Sequence, residues 1–472
     1  MKETVLLINA NVLQPPVSPV GLEYVGEALA ASGIAVEVLD LAFIPDWKAA
    51  LAHKLRTKEF RAIGLTVRNT DDCSFATRKS FLPWVSEVVS EVRRLTHTFV
   101  ILGGVGFSIM PEAVLRLTHA DAGVAGDGEE TATALIRCLQ KKEDFSHLPN
   151  LVYWHKKNVV SNARAYVDLN RWPLPRRRFF DNKKYEELGA MVGIETKRGC
   201  ARRCIFCADP VAKGRTVRLR PPRIVVEEFQ DLLDQGVNWF HLDDSEFNQP
   251  MSHARAVCQA IIDSGMGGKM RWYTYCSPAP FDRELARLMK QAGCAGINFG
   301  VDSLCDEQLS RLGRRYTVSD IRQLVRWLNK TGINYIFDLL IGGPGETEET
   351  IKQTIGQVKQ LDVPLVGIAT GVRVYSGTPL SQAITDGTFS GNLYPDERSA
   401  FNEPVFYLSP HLDNNVNALI SRLVGDDLRF LFLTSPAGRS SYNYAGDDAL
   451  SRMIKAGARG AYWDILSHHR TQ

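Results

Sequence analysis

The 472-residue chain contains no run of about 18 apolar residues, so nothing in it reads as a membrane span. Net charge is low, +3 from 56 Lys and Arg against 53 Asp and Glu, which argues against nucleic acid as the main partner. Cysteine is scarce at nine residues, too few and too scattered for a disulfide framework. The opening Met-Lys-Glu-Thr-Val-Leu-Leu-Ile reads as a strand, so no targeting peptide is expected and the cytoplasm is the expected location. What remains is a globular composition, 44% apolar and 23% charged, with material for two or three cores.

Three of the nine cysteines fall in one stretch, Thr196-Lys-Arg-Gly-Cys-Ala-Arg-Arg-Cys-Ile-Phe-Cys207, directly after a short apolar strand. Three thiolates in eight residues ask for a metal. Iron–sulfur cubanes are usually held by cysteines delivered in short runs of this kind, four in all. Here the run stops at three, which leaves one iron open to a small molecule. A local zinc knuckle wants a fourth ligand, and no histidine lies between Cys207 and His241. Inert core cysteines are common, but not three so close together with Arg198, Arg202 and Arg203 around them.

On either side of residues 141–187 the chain alternates strand-length apolar runs with helix-period segments. Five such units before residue 140, with strands at Val5–Asn9, Val36–Leu41, Ile63–Val67, Phe99–Leu102 and Ala122–Ala125, predict an α/β doubly wound parallel sheet of the flavodoxin-like kind. Ligands of such sheets sit beyond the strand carboxyl ends, here the loops Ala10–Val20, Arg68–Ser74, Gly103–Ser108 and Gly126–Glu130. Residues 141–187 read as a linker. Its basic, proline-rich Trp172–Phe180 stretch reads as a segment laid across a domain interface. Residues 188–381 carry six further units, which predict a partial (β/α)6 TIM barrel with its active face at the strand carboxyl ends. Residues 382–472 lose the rhythm and read as a small α+β cap that covers substrate.

The cysteine spacing, with Phe206 just before the last cysteine, resembles the radical S-adenosylmethionine (SAM) superfamily. The resemblance implies a [4Fe–4S] cluster on Cys200, Cys204 and Cys207 whose open iron takes the amino and carboxylate groups of SAM. It extends to Leu242-Asp-Asp-Ser-Glu-Phe-Asn248, where Asp243 or Asp244 is expected to meet the SAM amino end, the alternative being a helix cap. Gly300-Val-Asp-Ser303 has Asp302 where the family more often has glutamate; Ser303 and Arg314 or Arg315 are expected near the SAM carboxylate. Leu340-Ile-Gly-Gly-Pro-Gly-Glu-Thr347 resembles the adenine-side loop, implicating Ile341 and Gly342, and Tyr375-Ser-Gly-Thr-Pro-Leu380 also matches the family's pattern. Cys276, which ends a strand, reads either as an active-site thiol or as a small buried hydrophobe.

The N-terminal loops are similar to the cobalamin-binding domains that precede many radical SAM cores. Gly103-Gly104 and Gly126-Asp-Gly-Glu129 carry that resemblance and implicate Gly103, Gly104, Gly126, Gly128 and Glu129. The chain has no Asp-x-His, so no histidine ligand to cobalt is expected; Arg68 stands where it would approach the lower face, the alternative being a solvated loop charge, and Asn69 beside it is expected among the cofactor contacts. The implied activity is cobalamin-dependent methyl transfer from SAM to an unactivated carbon of a small molecule, with an external electron donor such as flavodoxin or ferredoxin. Tryptophan C-methylases are a similar branch with non-radical transfer. The alternatives are another SAM-derived outcome, such as aminocarboxypropyl transfer, rearrangement or carbon–carbon coupling, and a non-catalytic cobalamin- or metal-binding regulator.

Overall fold

A computed structural model describes residues 4–170, 175–396, 402–431 and 448–470. Trp172 to Leu174 of the basic, proline-rich stretch and parts of the expected cap, residues 397–401, 432–447 and 471–472, lie outside the described residues.

The first sheet holds β1 (Val5–Asn9), β2 (Val36–Asp40), β3 (Ala62–Thr66), β4 (Phe99–Gly103), β5 (Ala122–Val124), β6 (Leu151–His155) and β7 (Asn158–Ser161), in the order β2-β1-β3-β4-β5-β6-β7. The first five are parallel, in the flavodoxin-like order. Their apolar runs are unbroken because helices cover both faces. Leu6 and Ile8 enter the core on one side, Val5 and Leu7 that on the other. One boundary moves. β6 and β7 form an antiparallel hairpin that extends the sheet past β5, with Ala122 opposite Tyr153, so part of the expected linker belongs to this domain. Its turn at Lys156-Lys157 has no glycine or asparagine, and Lys156 takes the left-handed backbone itself (φ 57°), which hides the usual hairpin signal.

In the second half β8 (Val192–Ile194) leads to a ribbon of β9 (Lys197–Arg198) and β10 (Arg218–Leu219). β11 (Trp239–Leu242), β12 (Arg271–Cys276), β13 (Cys294–Asp302), β14 (Asn334–Ile341) and β15 (Val366–Thr370) follow. β16 (Val372–Arg373), β17 (Asn392–Tyr394) and β18 (Phe406–Leu408) form a small sheet, and β19 (Phe430–Leu431) returns to the main one. That sheet runs β19-β15-β14-β13-β12-β11-β8, all parallel. It is the expected six-stranded open barrel with one short strand added from the C-terminal segment. Alternate residues such as Ile297, Phe299 and Val301 enter the core shared with the helices, which turns Asn298 and Gly300 to the lumen.

The described C-terminal residues divide among three places, one of them the main core, which Val416, Ile420 and Phe430 join. The sheet of β16–β18 packs Val372, Leu393 and Tyr407 with Ile205 and Phe206 of the cysteine stretch. Leu450, Ile454 and Trp463 pack with Tyr273, Ile336 and Leu431 and plug the amino-terminal mouth of the barrel, where Trp463 Nε1 donates to Asn298 Oδ1 at 2.8 Å.

Charged side chains dock the two halves. Arg177, 0% exposed, donates to Glu23 Oε2 at 2.6 Å and to Glu228 Oε1 at 2.9 Å. Tyr24 donates to the same Glu228 oxygen at 2.9 Å. Arg373 pairs with buried Asp71 at 3.0 Å. The basic stretch is therefore an interface element at Arg177, while Arg176 pairs with Asp231 on the surface. These contacts turn the carboxyl edge of the first sheet toward the barrel, with Val105–Ile109 packed on the helix Asp209–Lys213 that follows Cys207.

Candidate active site

The cysteine loop starts from a backbone that only glycine tolerates. Gly199 has φ 87°, and a Cβ there would stand 2.1 Å from the Thr216 carbonyl oxygen. Cys200 N–H then donates to the Gly214 carbonyl at 3.0 Å, and Ile205 N–H to that of Leu312 at 3.1 Å. Pinned at both ends, the loop brings Cys200, Cys204, Cys207, Phe206 and Arg314 onto one cavity of about 140 Å³, with Ser245 and Glu246 opposite.

Burial pushes all three thiols up, Cys204 to about 11 despite the nearby Arg314 guanidinium, and Cys207 well above its ordinary value. Arg314 Nη1 donates to Cys204 Sγ at 3.1 Å. Buried thiols of this kind ionise when a metal supplies the countercharge. Among the described residues no three Cys, His, Asp or Glu side chains converge on a point where one ion would sit. A cubane spreads its thiolates over separate irons and does not need them to meet at one point. The donor set fits the cluster.

Around this cavity the structure redistributes the expected SAM contacts. Asp244 is buried and fully engaged: its carboxylate accepts from Thr196 N–H and hydroxyl and from Lys197 N–H and Nζ. Burial alone would raise that carboxyl, but the Lys197 ammonium holds it below its ordinary range. Asp244 therefore anchors the root of the cysteine loop. Asp243 lies 2.7 Å from His241 Nδ1 and stays partly open. Ser303 is buried against Thr354 Oγ1 at 2.9 Å and caps Cys305 N–H, away from the cavity. Asp302 sits in left-handed backbone (φ 60°) at a register shift in β13 and pairs with Arg314, so the short carboxylate serves that guanidinium. Arg315 is exposed.

Sequence reasoning passed over Ser245, Glu246 and Arg202. Glu246 Oε2 accepts from Arg202 Nε at 2.9 Å, and Ser245 Oγ is buried with no hydrogen-bond partner among the described residues. The acidic stretch Asp-Asp-Ser-Glu held the signal, but which of its carboxylates faces the cavity depends on how the chain turns after β11. Cys276 is buried at the cavity's edge and also part of the hydrophobic core.

Below Gly342-Gly343-Pro344-Gly345, Ile341 is buried and Gly342 has φ 109°. Glu346 accepts from the N–H groups of Gly342 and Gly343. Burial pushes its carboxyl up to about 7 from 4.5, against those two amides. A group whose folded-state value is raised favours the fold most below its ordinary value of 4.5 and loses that contribution as pH rises through 7. Glu346→Gln keeps the acceptor and removes the ionisation. Denaturant titrations are expected to lose stability between about pH 5 and 8 in the parent and not in the variant, a divergence of about 3 kcal/mol at most. Parallel curves would rule this out.

At the cobalamin-side edge, Gly104 (φ 100°) packs backbone on backbone, its Cβ position 2.6 Å from the Val67 carbonyl, so the Gly103-Gly104 pair serves the turn into Val105–Ile109. At Gly126 (φ 100°) a Cβ would meet nothing nearer than the Ala212 carbonyl at 3.9 Å, and the Gly126 N–H donates to Ser108 Oγ at 2.8 Å. Gly128 abuts Val25. Glu129 points into the interface and pairs with Arg198. Arg68 is exposed beyond β3, with Nη1 donating to Asn69 Oδ1 at 2.8 Å. Val12 and Val105 are 47% and 40% exposed on this edge, and Asn11 Nδ2 is buried with no hydrogen-bond partner among the described residues. Open apolar surface beside an unsatisfied amide fits a large, amide-fringed macrocycle.

Comparison with known proteins agrees with both halves. The model for the Radical SAM superfamily matches residues 194–358, and that for the B12 binding domain matches residues 6–136. A tryptophan 2-C-methyltransferase of Streptomyces laurentii is 31% identical, over 82% of this chain and 75% of its own. The chain belongs to the cobalamin-dependent radical SAM family. Two structures of the radical SAM methyltransferase TsrM from Kitasatospora setae are similar over all of this chain and 99% of theirs. One, with tryptophan substrate and a SAM analogue bound, has TM-score 0.91 at 30% identity. The other, with cobalamin and a [4Fe–4S] cluster bound, has 0.90 at 28%.

As a member of this family the chain is a methyltransferase with a [4Fe–4S] cluster, SAM and cobalamin as cofactors, and it transfers methyl to carbon of a small molecule. Among the described residues no helix is long and apolar enough to cross a membrane.

Proposed function

We propose that the methyl acceptor is a ring carbon of an indole-bearing amino acid, C2 of tryptophan or a close derivative. The observation that carries this is the likeness, over the entire chain and including the C-terminal plug of the barrel, to the TsrM structure with tryptophan substrate bound. Cys200, Cys204 and Cys207 would hold the cluster. Phe206, Ser245, Glu246, Arg314, Ile341 and Gly342 would border SAM, with Asp243 toward the lumen. Arg68 and Asn69 would face the lower side of cobalt, where a cation discourages a sixth ligand and so favours release of the methyl group as a cation equivalent. When bound, these cofactors supply the methyl carrier and the electron chemistry; the chain's side chains position them and exclude water. An external donor such as flavodoxin or ferredoxin would keep cobalt reduced, in the cytoplasm.

The test is anaerobic incubation of the reconstituted protein with methyl-labelled SAM, cobalamin, reductant and tryptophan. Expected products are label-bearing 2-methyltryptophan and S-adenosylhomocysteine. Methylthioadenosine in their place would indicate aminocarboxypropyl transfer, and unlabelled tryptophan beside consumed SAM would exclude this acceptor.

A further inference from the structure

Arg198 immediately precedes the Gly199-Cys200 turn, yet its side chain leaves the cysteines and enters the interface. There Nη2 donates to Glu129 Oε1 at 2.6 Å, Nη1 lies 3.4 Å from Asp127 Oδ1, and Nε donates to Glu195 Oε2 at 2.7 Å. Asp127 and Glu129 belong to the Gly126–Glu130 loop at the carboxyl edge of the cobalamin-binding domain. A second link runs in parallel. Asp127 also binds Arg218, which pairs with Arg198 across the β9–β10 ribbon. Arg218 Nη2 donates to the Lys213 carbonyl at 2.9 Å, and the adjacent Gly214 carbonyl accepts the Cys200 N–H.

The first link is buried, with Asp127, Glu129 and Arg198 each under 10% exposed, and the second is largely so, with Arg218 partly exposed. Breaking such a pair strands a charge away from water, so neither loop shifts without the other. Gly199, closed in by the Thr216 and Gly214 carbonyls, removes the slack that would otherwise absorb a shift before it reached Cys200.

From this geometry we infer that Arg198 is a positioning residue that couples the cobalamin-side loop to the cysteine loop, so that cluster assembly and cobalamin binding each raise the affinity of the other. Glu129, which the sequence places among cobalamin contacts, acts here as the partner of Arg198. Coupling of this kind is reciprocal, since the same free energy links the two sites in both directions.

Cobalamin titrations of the full-length chain, before and after cluster reconstitution, measure the coupling without substrate or turnover, so they are independent of the tryptophan assignment. Cobalamin is expected to bind about tenfold more tightly once the cluster is present, a ratio within the usual range for linked sites. In Glu129→Gln, which preserves shape and removes the charge, and in Arg198→Lys, the ratio is expected to fall to about two- to threefold, the part still carried by the parallel Asp127–Arg218 link, while iron content stays at the parent level. The electron paramagnetic resonance signal of the reduced cluster should respond to cobalamin clearly less in the variants than in the parent. A ratio of one in the parent, or a parental ratio retained in Glu129→Gln, would overturn the inference. Should Arg198→Lys fail to fold, Glu129→Gln still decides it.

Discussion

Cys204→Ser is expected to abolish methyl transfer and to lower iron from about four per chain to below about one, the content of a cubane against that of a chain with two remaining thiols. The buried Cys204 thiol is held up to about 11, so in the absence of a cluster it stays protonated at neutral pH and releases its proton on binding iron. Serine has the size but ionises far less readily, and its oxygen is a harder donor than sulfur. Arg314 keeps Asp302 as a partner, so the loss is one of ligation and the fold survives. Iron and sulfide analysis, visible absorption and product assay on the anaerobically purified variant measure the effect. Undiminished turnover in the serine variant, or zinc in the parent in place of iron and sulfide, would remove the cluster from the account.

The second large effect is on stability. Arg177→Met is expected to cost about 3–5 kcal/mol, because removing one member of a buried ionic group leaves uncompensated charge in a medium of low polarity. Among the described residues Glu23 would retain the amide of Asn182, at 3.4 Å, and Glu228 would retain Arg220 at 2.7 Å and Tyr24. Neutralising the stranded partner with Glu23→Gln in the same chain should recover part of the loss. The surface pair Arg176–Asp231 provides the contrast, since exposed pairs contribute about 1 kcal/mol or less. Denaturant midpoints of the parent, both single variants at 177 and 176, and the double variant measure the series. A loss at Arg177 no larger than that at Arg176 would mean that the buried Arg177 group does not hold the domains together.

Much of this protein was legible one residue at a time. Flavodoxin-like strands and barrel strands appear as apolar runs because they are buried on both faces, and their observed bounds fall within a few residues of those read from the sequence. The C-x3-C-x2-C spacing is legible because ligation by a short loop is local. The hairpin of β6 and β7 escaped because its turn uses lysine in left-handed backbone. The two-residue β19 escaped because a strand that short has no periodicity.

The carboxylates divide along the same line. Asp243, Asp244 and Glu246 occupy one stretch of sequence, and nothing in it distinguishes the buried anchor of Lys197 from the partner of His241 or from the side chain facing the cysteines. Glu129 has the sequence context of a ligand loop and the environment of a domain tie. By itself the sequence determined the order of the elements, the two α/β halves and the three thiols, because periodicity and short-range ligation are properties of neighbouring residues. Which charged groups meet across the interface, and which carboxylate borders the cavity, only the tertiary structure decided, because these depend on partners up to 302 residues apart, as Arg373 and Asp71 are, and on the exclusion of water that gives such pairs their strength.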